Sequence, residues 1–271
     1  MVATAERLPA VERVPRMPFR LARAELLKLR RRRGLMITAA LLTIASMIVM
    51  FVALELFHVS NSVKHGPAGG FENFRRSVFV LSQLGSIAAA MIGASAGADD
   101  LGAGVFRDLV ATGRSRAALF LARIPGGLAV IWPLVAIGFV VSCIFTVTLA
   151  GGLPTPSTQL FVECALWIGL TVGLAFLLGL GLGSLIGSRA PTIAILFAWI
   201  LILEPILTHI TALGVGRDAM LSAAVGHLAP SSIVHGEMRV PMTLGVSIVV
   251  IGAWAVVSLG AGLWRTQTRD A

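Results

Sequence analysis

The sequence predicts an all-α integral membrane protein with six transmembrane helices. Six apolar stretches each reach the ~20 residues that an α-helix needs to cross ~30 Å of hydrocarbon, and little polar sequence separates them. Hydrophobic residues make up 56% of the chain and charged residues only 13%, with a mean hydropathy of +0.89. This composition excludes a soluble domain. The predicted spans are 35–57, 78–98, 118–149, 159–187, 191–213 and 243–264.

The basic residues predict a multi-pass protein of the cell membrane with both termini in the cytoplasm. Lysine and arginine concentrate in cytoplasmic loops, and residues 1–34 carry ten of the 22 in this chain. With six spans, seventeen of the 22 fall on the cytoplasmic side. The net charge of +9 then faces lipid headgroups of the bilayer, and nucleic acid is not an expected partner. The five outer basic residues are Lys64, Arg75, Arg76, Arg217 and Arg239.

The N-terminal region divides into two parts. Residues 1–17 are polar and lack the apolar core of a cleaved signal peptide, so we expect a disordered cytoplasmic tail. Residues 18–34 alternate apolar and basic side chains at helical spacing, which predicts an amphipathic interfacial helix. This helix is either a lipid-held anchor or an elbow that also contacts a partner protein. Its main residues are Phe19, Leu26, Lys28, Leu29 and Arg30. At the other terminus, residues 265–271 form a short cytoplasmic tail.

A short cytoplasmic helix is predicted between spans two and three. Within residues 99–117, apolar side chains recur on one helical face: Leu101, Val105, Phe106, Leu109 and Val110. Asp99 and Asp100 suit a helix N-terminus, where negative charge is stabilising, and Gly113 suits its end. An ordinary solvated loop is the alternative.

The order of these elements resembles the membrane subunits of type-2 ABC exporters, over nearly the whole chain. In that family the matching stretch has an acidic residue, GlyThr, one residue, Arg, two Leu-like positions and SerArg. It contains the coupling helix, which inserts into a groove on the ATPase subunit. Gly104, Arg107, Leu109, Val110, Ser115 and Arg116 match, whereas Asp99 and Asp100 stand for the usual Glu and Val105 for a common Thr. The resemblance implies ATPase coupling by these residues together with Phe106.

This resemblance implies a permease that moves a substrate out of the cytoplasm. The absence of tyrosine and the short outer loops favour a drug, peptide or lipid-like substrate over a long polysaccharide. Its expected partners are separate ABC ATPase subunits and a second permease copy or paralogue. The only lysines are Lys28 and Lys64, so no GxxxxGK[ST] phosphate-binding loop is present. We therefore expect no enzymatic activity and no cofactor in this chain, with ATP and Mg²⁺ bound by the partner. An ion-coupled secondary transporter and a non-transporting membrane scaffold are the alternatives.

Polar groups inside the spans mark candidate pathway residues. Ser82, Gln83 and Ser86 lie in the second span, where they should face protein or a cavity. Glu204 precedes Pro205 in the fifth span and is either a gate or substrate contact, or a structural hydrogen-bonding group at a proline kink. Between spans five and six, residues 214–242 are too apolar for a free loop and too broken for a span. They predict a re-entrant extracytoplasmic element, with a surface loop as the alternative.

Glycines, cysteines and histidines complete the pattern. Gly93 and Gly97 in span two and Gly179, Gly183 and Gly187 in span four repeat every four residues. This spacing permits close helix packing, either within one subunit or in a dimer. Cys143 and Cys164 are predicted as buried free thiols, with a bridge between neighbouring helices as the alternative. The histidines are predicted as interfacial side chains, because no HxxxH or HExxH spacing supports a metal site.

Overall fold

The computed structural model describes residues 17–102, 115–233 and 241–268, and all regular structure within these ranges is helical. Six helices are long and apolar enough to cross a membrane. The predicted tail 1–17 lies outside the described residues except for Met17. We name the helices α1 (Met17–Arg31), α2 (Arg33–Ser60), α3 (Phe71–Gly102), α4 (Arg116–Thr148), α5 (Thr158–Ile186), α6 (Arg189–Thr208), α7 (Leu221–His227) and α8 (Leu244–Thr268).

The six long helices α2–α6 and α8 correspond to the six predicted spans and run alternately up and down. We call the end of the bundle that holds Arg33, Arg116 and Thr268 the terminal end, and the opposite end the loop end. At the terminal end, Arg116 donates a hydrogen bond to the Gln267 carbonyl at 2.9 Å. At the loop end, the Gly69 N–H donates to the Leu149 carbonyl at 2.8 Å.

Two of the long helices contain a wide π-helical turn. In α6 it covers Ala198–Leu203, directly before Pro205. Proline has no N–H and its ring collides with the carbonyl four residues earlier, so regular α-helical bonding fails here. In α2 the wide turn covers Leu41–Ala45, where Thr43 Oγ1 donates back to the Ala39 carbonyl at 2.8 Å.

Helices α3 and α5 pack backbone against backbone near the terminal end. A Cβ atom added to Gly97 would lie 2.5 Å from the Leu180 carbonyl oxygen, and one added to Gly179 would lie 2.5 Å from that of Ala90. Gly93 approaches the Phe176 carbonyl and Gly183 the Ala94 carbonyl in the same way. Small residues let membrane helices meet in this way. Of the two interpretations of these four glycines, the structure therefore supports packing within one chain.

Gly187 has a different role from the other glycines of this repeat. It follows the last residue of α5 and adopts a left-handed conformation with φ of 76°. Its N–H donates to the Gly183 carbonyl at 2.8 Å. Glycine reaches this conformation without a Cβ clash, so Gly187 ends the helix.

Helix α1 packs against the terminal end of α4. Leu29 is fully buried, Leu26 is half-buried, and Gly126 of α4 lies so close to Ala22 that a Cβ there would be 3.0 Å from the Ala22 carbonyl oxygen. The predicted apolar face is thus used for packing, except that Phe19 is 75% exposed. Lys28 forms an ion pair with Glu25 at 2.6 Å.

Between α6 and α8, the described residues Thr211–His227 form two short pieces, which together we call the broken segment. A 3₁₀ segment covers Thr211–Ala219, with a break at Gly214, and α7 follows directly. Both pieces pack on the long helices, since their backbone accepts hydrogen bonds from α5 and α8. Broken helical structure in this segment agrees with the sequence pattern.

Candidate functional site

A cavity of about 260 Å³ lies between α3, α5, α6 and α7. All four predicted pathway residues line it. Its depth follows from the helix rise of 1.5 Å per residue, which puts Gln83 about 18 Å along α3 from Phe71 and Thr171 about 20 Å along α5 from Thr158. The lining residues are Phe79, Ser82, Gln83, Ser86, Trp167, Thr171, Leu174, Ala175, Leu178, Trp199, Ile200, Glu204, Leu221, Ser222, Val225 and Gly226.

The α3 wall of the cavity presents hydroxyl and amide groups. Ser82 Oγ donates to the Phe79 carbonyl at 2.8 Å, and Ser86 Oγ donates to the Ser82 carbonyl at 2.7 Å. These serines satisfy their own donors on the helix backbone, so both can sit in an apolar environment. The exposed Gln83 amide makes no hydrogen bond within the part of the chain that the structure describes. It therefore offers a donor and an acceptor to a ligand or water.

Glu204 joins α6 to α7. Its side chain is 4% exposed, and its Oε1 accepts a hydrogen bond from the Ser222 N–H in the first turn of α7. A carboxylate is a strong acceptor for the open N–H groups at the start of a helix. The structure thus provides the hydrogen-bonding role predicted for Glu204 and also places it on the cavity wall. The two interpretations of this residue are compatible.

Two tryptophan side chains hold the broken segment against the long helices. Trp167 Nε1 of α5 donates to the Val225 carbonyl at 2.9 Å, and Trp254 Nε1 of α8 donates to the Ala219 carbonyl at 2.9 Å. These tryptophans lie about 14 and 15 Å from the first residues of their helices. The sequence analysis identified neither tryptophan as a contact residue. The signal that could have identified them is an indole N–H donor in a span beside a broken apolar segment.

A larger groove, of about 540 Å³, lies between α4 and α5 and differs chemically from the cavity. Its lining is apolar, and Trp132, whose indole donates to the Gly169 carbonyl at 3.2 Å, is 48% exposed. Such an open apolar surface suits a lipid chain. We therefore take the smaller cavity, which Ser82, Gln83, Ser86 and Glu204 line, as the functional candidate.

The residues predicted to couple to an ATPase fall mostly outside the described chain. Gly104, Val105, Phe106, Arg107, Leu109 and Val110 all lie there. The sequence predicted that Asp99 and Asp100 lie at the start of a new helix. This prediction is wrong, because α3 continues through them to Gly102. Helix α4 begins at Arg116. The residue before it, Ser115, accepts a hydrogen bond through its Oγ from the Ala118 N–H at 3.2 Å.

Arg123 is a buried cation near the terminal end of α4. It lies inside α4 at 1% exposure, and its Nη1 donates to the Gly97 carbonyl at 3.3 Å. Ser184 Oγ of α5 donates to the same carbonyl at 3.4 Å. Arginine here joins α3 and α4 beside the glycine interface. A buried ionisable residue in a membrane helix commonly has a functional role.

Histidine and cysteine side chains show no metal-binding arrangement among the residues that the structure describes. His58 Nδ1 lies 2.6 Å from the His65 carbonyl, in the connection after α2. Cys143 and Cys164 are both free thiols. No family model matches this chain, and no curated protein is significantly similar to it.

Proposed function

We propose that this chain is the membrane-spanning permease subunit of an ATP-driven exporter of the ABC class. Two copies, or this chain and a paralogue, form a substrate pathway, and separate ATPase subunits supply the energy. The substrate leaves the cytoplasm by alternating access. The observation that carries the proposal is the cavity at mid-depth of the bundle, in which Ser82, Gln83, Ser86 and Glu204 meet.

An exposed stripe on α3 supports a pathway at a dimer interface. Glu72, Arg76, Phe79 and Gln83 follow each other at helical spacing and are all exposed. Gln83 lies about 18 Å from the start of the helix, where contact of an amide with lipid is unfavourable. In the proposed dimer this face lies against the second copy or a water-filled pathway.

The broken segment between α6 and α8 fits the extracytoplasmic gate of such a pathway. The depth of its contacts with Trp167 and Trp254 favours a re-entrant element over a surface loop. Non-helical backbone at this depth is tolerated where protein or a watery cavity surrounds it. The cavity lies directly beside it, since Leu221, Ser222 and Val225 form part of the wall.

The terminal end fits a cytoplasmic docking platform for the ATPase. Helix α1, the start of α4 and the last turns of α8 come together there, through the contacts of Gly126 with Ala22 and of Arg116 with Gln267. The predicted coupling residues 104–110 connect to this same end. A push on that segment therefore acts on α3 and α4 together, and the differential contact with two ATPase states drives the change.

The ion-coupled carrier is the weaker alternative. Such carriers use paired ionisable groups near the middle of the bilayer. Among the described residues that line the cavity, Glu204 is the one carboxylate, and no basic side chain accompanies it. The scaffold alternative leaves a polar cavity in the bundle without a role.

Co-purification tests the proposal. The tagged chain is extracted from its native membrane in gentle detergent, and its bound proteins are identified by mass spectrometry. We expect a P-loop ATPase with the wild type and its loss with the double variant Arg107→Glu, Leu109→Asp. Lys64→Glu is the matched control, because it reverses an exposed charge at the opposite end of the bundle, outside the α3 stripe.

The proposal fails if the wild type retains no ATPase, or if the double variant binds it as well as Lys64→Glu does. Size-exclusion profiles establish that each variant is folded. In the first case, ion-driven uptake in proteoliposomes becomes the next measurement.

A further inference from the structure

Among the described residues, the cavity lining contains an acidic side chain but no basic one. Glu204 is the single ionisable side chain among the described residues that line it. The donors that Glu204 meets, the N–H and hydroxyl of Ser222 and the N–H of Leu221, are neutral, and within the described chain it forms no ion pair. Two of the other lining groups, the Gln83 amide and the Ser222 hydroxyl, are neutral and can accept hydrogen bonds. The wall therefore favours positive over negative charge in a ligand.

Aromatic rings complete the wall. Phe79 of α3, Trp167 of α5 and Trp199 of α6 border the same space as Glu204. The faces of such rings attract cations, most strongly for tryptophan, and the effect grows where water is excluded. Trp199 is also braced by Trp254, with ring centroids 5.7 Å apart. Leu174, Leu178 and Ile200 supply apolar surface for the rest of a ligand.

The size of the cavity limits the ligand. Its volume of about 260 Å³ lies just below the ~300–1,000 Å³ typical of small-molecule sites. A long peptide or a whole lipid does not fit. A compact organic molecule with an aromatic or branched body does.

We propose that the cavity binds small lipophilic cations, with Glu204 offsetting their charge and Trp199 and Phe79 contacting the cationic group. This substrate class rests on the proposed function, in which the cavity belongs to the export pathway. Drug-like cations are thereby preferred to the peptides and lipids that the sequence left open.

The test compares three probes that share a benzyl group. They are benzyltrimethylammonium, which stays cationic at every pH, benzyl methyl sulfone, which is neutral, and phenylmethanesulfonate, which is anionic. Binding is measured by calorimetry to the full chain in nanodiscs of zwitterionic phosphatidylcholine, so that anionic lipid does not gather the cation. We expect the cation to bind ~10-fold more tightly than the neutral probe, and the anion most weakly.

Variants separate a charge effect from a folding effect. Glu204→Gln keeps an oxygen for the Ser222 N–H and removes the charge, so cation affinity should fall ~10-fold while neutral-probe affinity changes less than ~2-fold. Glu163→Gln is the matched control and should change neither affinity, because this exposed acid of α5 bonds to Gln159 at 2.8 Å and lies outside the cavity. Gln83→Glu adds a carboxylate to the same wall and should raise cation affinity, in the wild type and in Glu204→Gln.

The inference is overturned if the wild type binds the three probes equally, or if Glu204→Gln weakens all three to the same degree. The second result assigns Glu204 a structural role only. Should Glu204→Gln not fold, Gln83→Glu in the wild type decides, because unchanged cation affinity there overturns the inference. No ATPase is needed for binding, so failure here is distinguishable from failure of the co-purification experiment.

Discussion

Helices α3 and α5 pack in opposite ways in their two halves. Near the terminal end, glycine and alanine bring the two backbones together, with carbonyl oxygens of one helix at the glycine positions of the other. Toward the loop end, Gly85 of α3 meets the Val172 side chain of α5 instead of its backbone, and the cavity borders both helices. The residues of the two helices that line it there include Ser82, Ser86, Trp167 and Thr171.

Side-chain size along this helix pair therefore divides the bundle into two regions. We call the glycine interface of Gly93, Gly97, Gly179 and Gly183 the joint, and the cavity the chamber. Contacts between backbones leave no room for rearrangement, because packed interiors accommodate little volume change. One side of the chamber is formed by the short helix α7 and the wide turn of α6, so a change there breaks fewer contacts. A motion that opens the pathway is therefore expected to leave the glycine interface intact.

The largest expected effect comes from filling the joint. Gly93→Val places side-chain atoms against the Phe176 carbonyl and the backbone of Gly179 and Leu180, and should destabilise the protein by about 3 kcal/mol. Thermal unfolding in detergent, followed by size exclusion, measures the loss. Gly252→Val in α8 is the matched control, because a Cβ there meets nothing within 4 Å. Equal stability of the two variants would refute the rigid joint.

A smaller effect is expected in the chamber. Glu204→Leu removes the acceptor of the Ser222 N–H and should lower stability by about 1–3 kcal/mol, whereas Glu204→Gln should lower it less. The same unfolding measurement applies. Glu163→Leu, on the exposed face of α5, should change stability by less than ~0.5 kcal/mol. If Glu204→Leu changes stability as little as Glu163→Leu does, the hydrogen bond from Ser222 to Glu204 contributes nothing to stability.

The two indole hydrogen bonds should contribute about 1 kcal/mol each. Trp167→Phe and Trp254→Phe remove donors to Val225 and Ala219 while keeping an aromatic ring. We expect faster amide hydrogen exchange in residues 219–226 by mass spectrometry, with the α3–α5 joint unchanged. Trp264→Phe, at a 61% exposed position, is the control. Faster exchange across the joint as well would contradict the division into two regions.

The smallest expected effect lies at the pair of buried hydroxyls that joins α3 to α4. Ser77 Oγ and Ser142 Oγ are hydrogen-bonded to each other. A double-mutant cycle with Ser77→Ala and Ser142→Ala should give a coupling of about 0.6 kcal/mol, typical of such bonds between membrane helices. Ser86→Ala with Ser142→Ala should show none. Coupling in the control cycle would mean that distant sites in the bundle are not independent.

Much of the fold could be predicted because its strongest signal is local. Twenty consecutive apolar residues define a span by length alone, and the helices α2–α6 and α8 follow the six predicted stretches closely. The ends were harder to predict. Helix α3 begins at Phe71 and runs through Asp99 and Asp100, because backbone hydrogen bonding continues beyond the apolar segment and polar residues at a helix end do not stop it.

The sequence identified the individual residues of the site but not their spatial arrangement. Polarity inside an apolar span identified Ser82, Gln83, Ser86 and Glu204, since each needs a partner or water. Their meeting in one cavity depends on contacts between helices distant in the chain, which periodicity does not encode. The burial of Arg123 and the bonds of Trp167 and Trp254 likewise depend on which neighbour each helix face meets.

The wide turn at Ala198–Leu203 also determines where α6 tolerates a change in length. A π-helical turn holds about one residue more than an α-helical turn, so deleting one residue within it removes the extra residue without rotating the flanking segments and keeps Glu204 directed at the cavity. Deleting one residue from Arg189–Phe197 instead rotates the segments on either side by about 100° relative to each other. In α6, gaps and insertions in related sequences are therefore expected at this turn.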